Sequence, residues 1–162
     1  MNTFEKAINF TLGWEAGRDK KGNIREDGGL NLDDGSTTKW GIRQAAHPTV
    51  DVPSLTLEAA VTIYRTKYWD VLALDTQELG YACACFDTAV NCGTKKVRDW
   101  MGKIEASKNK DPAKAMIQLR EAFYFDLESM NREKYHKFMK GWLNRTNDLK
   151  KYIDIIRVEL LA

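Results

Sequence analysis

Glu15 continues an apolar stripe. Phe4, Ile8 and Leu12 recur at helical spacing behind Asn2 and Glu5, a capping pair, and the next member of that series is Glu15, near the helix C-terminus. Apolar neighbours disfavour a charged carboxylate, and the negative end of the helix dipole works in the same direction. An acid held protonated near neutral pH is what cleavage of a glycosidic bond needs, because the bridging oxygen leaves poorly until it receives a proton. The other half of such a reaction is a group that directs water or stabilises an oxocarbenium-like transition state. Asp33 and Asp34, with Thr37 and Thr38 just beyond, are spaced to supply it. From periodicity alone two plainer assignments stay open: Glu15 pairing with Arg18 or Lys20, and Asp33 and Asp34 serving only a turn.

The elements that would position these groups are legible in outline. Between Gly17 and Gly41 the helical period disappears; Gly22, Gly28, Gly29 and Gly35 interrupt the chain, while Leu30/Leu32 and Thr38/Trp40/Ile42 alternate as short strands do. Asp33-Asp34-Gly35-Ser36 reads as the hairpin turn between them. After His47-Pro48 and Pro53 the pattern is helical. Leu57, Ala60, Val61, Tyr64 and Tyr68 form one stripe, and Leu79, Ala82, Cys83, Phe86, Ala89 and Val90 a second that Gly93 stops. A further helix is expected over roughly 94–106, another from Asp111-Pro112, and one or two over 137–161 with a bend at Gly141. The expected fold is mainly α, a helical body with a short β-hairpin after the first helix. A chain of 162 residues fits one compact domain, 1–162, with a catalytic helix and ribbon over 1–50 and a helical lobe over 51–162.

Composition excludes several classes. With 25 basic and 23 acidic residues the net charge is only +2, so no global field calls for nucleic acid. Two basic runs, Lys95 to Lys110 and Arg132 to Arg145, read as solvated helix faces that could otherwise meet an acidic polymer or a membrane surface. The N-terminal segment has neither the basic start nor the unbroken apolar core of a secretion signal, and no window approaches the ~20 apolar residues of a membrane span. Stable membrane insertion is therefore not expected. Cys83, Cys85 and Cys92 fall in an apolar helical pattern as buried thiols, without a fourth partner for a metal. His47 and His136 have no Ser or Cys in a hydrolase pattern, so a Ser/Cys-His peptidase is not supported. Trp40 is the aromatic candidate for stacking on a sugar ring, and Asn91, one helical turn after Asp87, is a candidate for lining the same cleft, although a structural role for that pair comes first.

The array Glu15-Ala16-Gly17, followed by Asp33-Asp34-Gly35-Ser36-Thr37-Thr38-Lys39-Trp40-Gly41-Ile42, resembles the "EGG … DPGGxTxxGI" signature of glycoside hydrolase family 108, the phage and bacterial N-acetylmuramidases of lysozyme-like fold. "IYRTKYW" (63–69), "FDTAVNCG" (86–93) and "KGWLNR" (140–145) resemble segments of that family and of the helical peptidoglycan-associated domain usually fused to it. The resemblance implies Glu15 as catalytic acid, Asp33 at the Asp of the glycine turn and Thr38 at the family's Thr position. Asp34, Trp40 and Asn91 are the expected substrate-contacting residues. Ala16 replaces a Gly, Asp34 and Ser36 replace Pro and Gly, and the stretch before Thr38 is longer than usual, so Asp27 or Asp34 could take the place of Asp33.

The expected activity is hydrolysis of the β-1,4 bond between N-acetylmuramic acid and N-acetylglucosamine in peptidoglycan, by a monomer without metal or organic cofactor. A phage endolysin of this kind would accumulate in the host cytoplasm and reach the wall after a separate membrane-permeabilising protein acts. A lytic transglycosylase using Glu15 alone, or a noncatalytic wall-binding or phage structural protein on the same fold, are the alternatives.

Overall fold

The computed structural model describes residues 1–32 and 37–161. The chain divides into two compact units, Met1–Lys67 and Tyr68–Ala162.

The first unit opens with α1, Thr3–Glu15. The expected capping box is present: the Asn2 side chain accepts from the Glu5 amide at 2.9 Å, and the Glu5 carboxylate accepts from the Asn2 amide at 2.8 Å. Phe4, Ala7, Ile8, Phe10 and Leu12 form its buried face. Gly13 gives passage to Arg18, whose guanidinium donates to the carbonyls of Asn9 and Gly22, both at 2.9 Å; a Cβ on Gly13 would stand 2.6 Å from it. The post-helix loop thereby folds back along α1.

Two strands come next, β1 (Thr38–Lys39) and β2 (Ile42–Arg43), antiparallel with Thr38 opposite Arg43 and Lys39 opposite Ile42. Trp40 and Gly41 form the two-residue connection, with φ of 56° and 74°. Positive φ at both central residues is the type I′ requirement, whose twist matches that of the strands. The alternation Thr38/Trp40/Ile42 therefore does not run through a strand: Trp40 belongs to the turn. On its other side Thr38 bridges Asn31, each amide donating to the other's carbonyl at 2.9 Å; the turn expected over 33–36 lies outside the described residues. α2, Leu57–Tyr64, closes the unit and passes into a π-helical turn, Arg65–Trp69.

The second unit is built on α3, Leu79–Cys92, buried continuously from Leu79 to Ala89 and ended by Gly93 at φ 88°. A helix that is apolar on all sides must be surrounded. α4 (Thr94–Ala106), α5 (Pro112–Met130) and α6 (Arg132–Glu159) each pack on it. Asp111 caps α5 through the Lys114 amide at 3.2 Å, with Pro112 in the first turn, as the sequence predicts. The last helix differs from expectation. It starts at Arg132, capped by Asn131, and includes Gly141 in a single 28-residue element. Six α-helices and one hairpin among the described residues make the fold mainly α, as expected.

Candidate active site

Three glycines in the first unit bring separate backbone segments to the end of α1. At Gly29, φ 63°, an added Cβ would lie 2.8 Å from the Ala16 carbonyl oxygen. At Gly28 it would lie 2.6 Å from the Trp40 indole, and the Trp40 amide donates to the Gly28 carbonyl at 2.6 Å. Gly41 is the most informative. A Cβ there would stand 2.5 Å from the Tyr64 hydroxyl oxygen, 2.7 Å from the Glu15 Cβ and 2.8 Å from Glu15 Oε2. Only bare backbone fits, and Gly41 is itself exposed while Glu15 is half-buried. A carboxyl group thus lies beside an open glycine turn where a polar chain can approach.

Tyr64 ends α2, is 1% exposed, and donates its hydroxyl proton to the Trp40 carbonyl at 2.8 Å. Trp40 is held at three further points: its amide as above, its indole N–H on the Leu55 carbonyl at 3.2 Å, and burial to 4%. A bulky residue at positive φ costs about 1–2 kcal/mol, which burial of a large apolar side chain, worth about 1.5–3 kcal/mol, offsets. This corrects the expectation for Trp40 as a stacking residue. Its ring fills the space over Gly28 and presents no open face.

The other candidates fall in different places. Thr38 is half-buried in β1, with its backbone bonded to Asn31 and facing Arg43, on the strand that leads into the Trp40–Gly41 turn. Asp33 and Asp34 lie outside the described residues. Asp27, the alternative to them, is committed to loop geometry: it pairs with Arg25 and accepts from the Gly29 amide at 2.9 Å, and the Arg25 bond, then that amide, hold its carboxyl below the usual range. Arg18, the alternative partner for Glu15, has its guanidinium on the Asn9 and Gly22 carbonyls. Asn91 sits in α3 of the second unit, exposed, its amide donating to the Asp87 carbonyl at 2.7 Å.

Behind the turn, Lys39 Nζ donates to the Pro53 carbonyl at 3.0 Å, and the Gln44 amide staples the 47–52 loop through His47 O, Val50 O and the Val52 amide. His47 is 9% exposed with Lys67 Nζ 3.2 Å from Nδ1; burial, then the Lys67 charge, pushes its titration below 6.5. Neutral imidazole accepting from the ammonium is the consistent state. No group of three or more His, Cys, Asp or Glu that could hold a metal lies among the described residues.

Sequence periodicity places Tyr64 correctly as a core stripe residue but does not reveal its hydroxyl at the site. Its place in the "IYRTKYW" segment is the signal that could have marked it.

The sequence model of the family Glycosyl hydrolase 108 matches residues 8–93, which include Glu15, Gly41, Tyr64 and Asp87. The chain belongs to this family and is a glycoside hydrolase. Membership implies a lysozyme-like enzyme acting on peptidoglycan. No curated protein and no solved structure matches the chain.

Proposed function

We propose that the protein is an endolysin-type muramidase that hydrolyses the β-1,4 bond between N-acetylmuramic acid and N-acetylglucosamine in peptidoglycan. The observation that carries this reading is the Glu15 carboxyl beside the exposed Gly41 backbone, in a chain of a glycoside hydrolase family. Glu15 protonates the bridging oxygen as the glycosidic bond breaks. Asp33, with Thr38, directs water to the anomeric carbon. Asp34 contacts the glycan. Trp40 contributes by fixing the turn rather than by stacking. The enzyme acts as a monomer on glycan strands and needs no metal or organic cofactor, because both proton transfers are made by side chains. It reaches the wall from the host cytoplasm after a separate membrane-permeabilising protein acts.

Mass spectrometry of purified peptidoglycan digested by the wild type and by Glu15→Gln tests the proposal. Reducing-end muramic acid products from the wild type, and none from the variant, are expected. Anhydro-muramic products would replace the hydrolase with a lytic transglycosylase. A wall left untouched by correctly folded wild type would leave only a binding or structural role.

A further inference from the structure

We infer that Tyr64 is the positioning residue for the Glu15 acid. The inference rests on the reading of Glu15 as the general acid. Three observations lead to it. The phenol is buried to 1% exposure, so its hydroxyl has no bulk water to satisfy it. Its proton is donated to the Trp40 carbonyl at 2.8 Å, across 24 residues of sequence. Its oxygen and Glu15 Oε2 face the same point over Gly41, 2.5 and 2.8 Å from where a Cβ would be.

A phenol has one proton and two acceptor lone pairs. The Tyr64 proton is committed to the Trp40 carbonyl. The same bond locks a turn whose first central residue is a tryptophan at φ 56°, a conformation the chain does not hold unaided. Tyr64 therefore acts on Glu15 by fixing the Gly41 backbone against which the carboxyl lies. Tyr64 also stands at the junction where α2 gives way to the π-helical turn Arg65–Trp69, and such single-turn departures recur at functional sites.

A double-mutant cycle on soluble, uncrosslinked glycan strands tests this, with Tyr64→Phe made in the wild type and in Glu15→Asp, and Glu15→Gln as reference. A positioning role predicts that Tyr64→Phe lowers kcat about 10–100-fold in the wild type with KM within about twofold. In the Glu15→Asp background, where the carboxyl is withdrawn by one carbon, the same substitution is expected to change kcat by less than about twofold. Gly41→Ala, which drives a methyl into the same junction, is expected to show the same dependence on Glu15. Equal losses in both backgrounds would make the phenol a structural residue and overturn the inference, as would wild-type kcat in Tyr64→Phe or a Tyr64→Phe protein that does not fold. If Glu15→Gln and Glu15→Asp both kept full activity, the acid assignment itself would fall. If Glu15→Gln is inactive while Tyr64→Phe is unchanged, only the role of Tyr64 is lost.

Discussion

Asp87, in the second unit, has Arg120 Nη1 at 2.7 Å from one oxygen and Arg145 Nη2 at 2.7 Å from the other, and its side chain is 1% exposed. Glu15, in the first unit, is half-buried and lies beside an exposed glycine backbone. Both are helical carboxylates within the family match, yet their surroundings differ. Burial pushes the Asp87 carboxyl up, but Arg145 and then Arg120 overbalance it and hold it well below the usual carboxylate range. It stays charged and immobile. Arg120 continues the cluster by donating Nε to the Tyr124 hydroxyl at 2.7 Å, and burial pushes that phenol up to about 12. Tyr124 in turn stacks on Trp142 with ring centroids 4.5 Å apart. One carboxylate ties three helices of the second unit together, and the other is left where chemistry can reach it.

The comparison is sharpest under substitution. Glu15→Gln is expected to lower kcat on glycan strands by about 10²–10⁴, the range for a general acid, while the melting temperature stays within a degree or two. Asp87→Asn should do the reverse in kind. It leaves two buried guanidinium groups without their counter-charge, a loss of about 3–5 kcal/mol in the second unit, readable as a lowered urea midpoint. A large stability loss in Glu15→Gln, or none in Asp87→Asn, would break the division of labour.

Titration separates the units in a second way. His47 has its folded pKa depressed below 6.5, so the stability it supports is fully present above about 6.5 and is lost as pH falls through its folded value. Asp87 is depressed from 3.8, so its contribution is present above 3.8 and lost only as pH falls further. Hydrogen-exchange protection between pH 7 and pH 4.5 is therefore expected to decline in residues 37–67 while α3, α5 and α6 keep theirs. His47→Gln should flatten the first of these profiles. Parallel decline in both units would show that some other group governs the first.

Much of this was legible in the sequence where the signal is local. The Asn2 and Glu5 pair, the Gly93 stop and the Asp111-Pro112 start depend on a few adjacent residues, and each appears where expected. Features that depend on distant partners were not. Arg145 closes a run of basic residues that reads as solvated, yet it is 8% exposed and bonded to a carboxylate 58 positions away. Trp40 looks like a strand residue because alternation cannot register a turn in which a non-glycine residue takes positive φ. The π-helical turn after Tyr64 has no composition of its own. A charge on an apolar stripe is anomalous and singles out Glu15, whereas a tyrosine on such a stripe is ordinary and does not single out Tyr64.

Asp111 gives the weakest and most discriminating case within the second unit. It accepts from the Lys114 amide at 3.2 Å as the α5 cap, and it also lies 3.4 Å from Arg157, which is bonded to Glu78 through Nε and Nη2 at 3.0 Å each. Asp111→Ala removes both interactions and is expected to destabilise by about 1 kcal/mol, in the range for loss of a helix cap. Asp111→Asn keeps a capping oxygen and removes only the charge, and since both partners are exposed enough for solvent to screen them, its effect should be within a few tenths of a kcal/mol. Equal losses from the two variants in urea melts would mean that Arg157, rather than the cap, is what Asp111 serves. The second unit would then rest on two ionic centres rather than on one buried centre and ordinary helix capping.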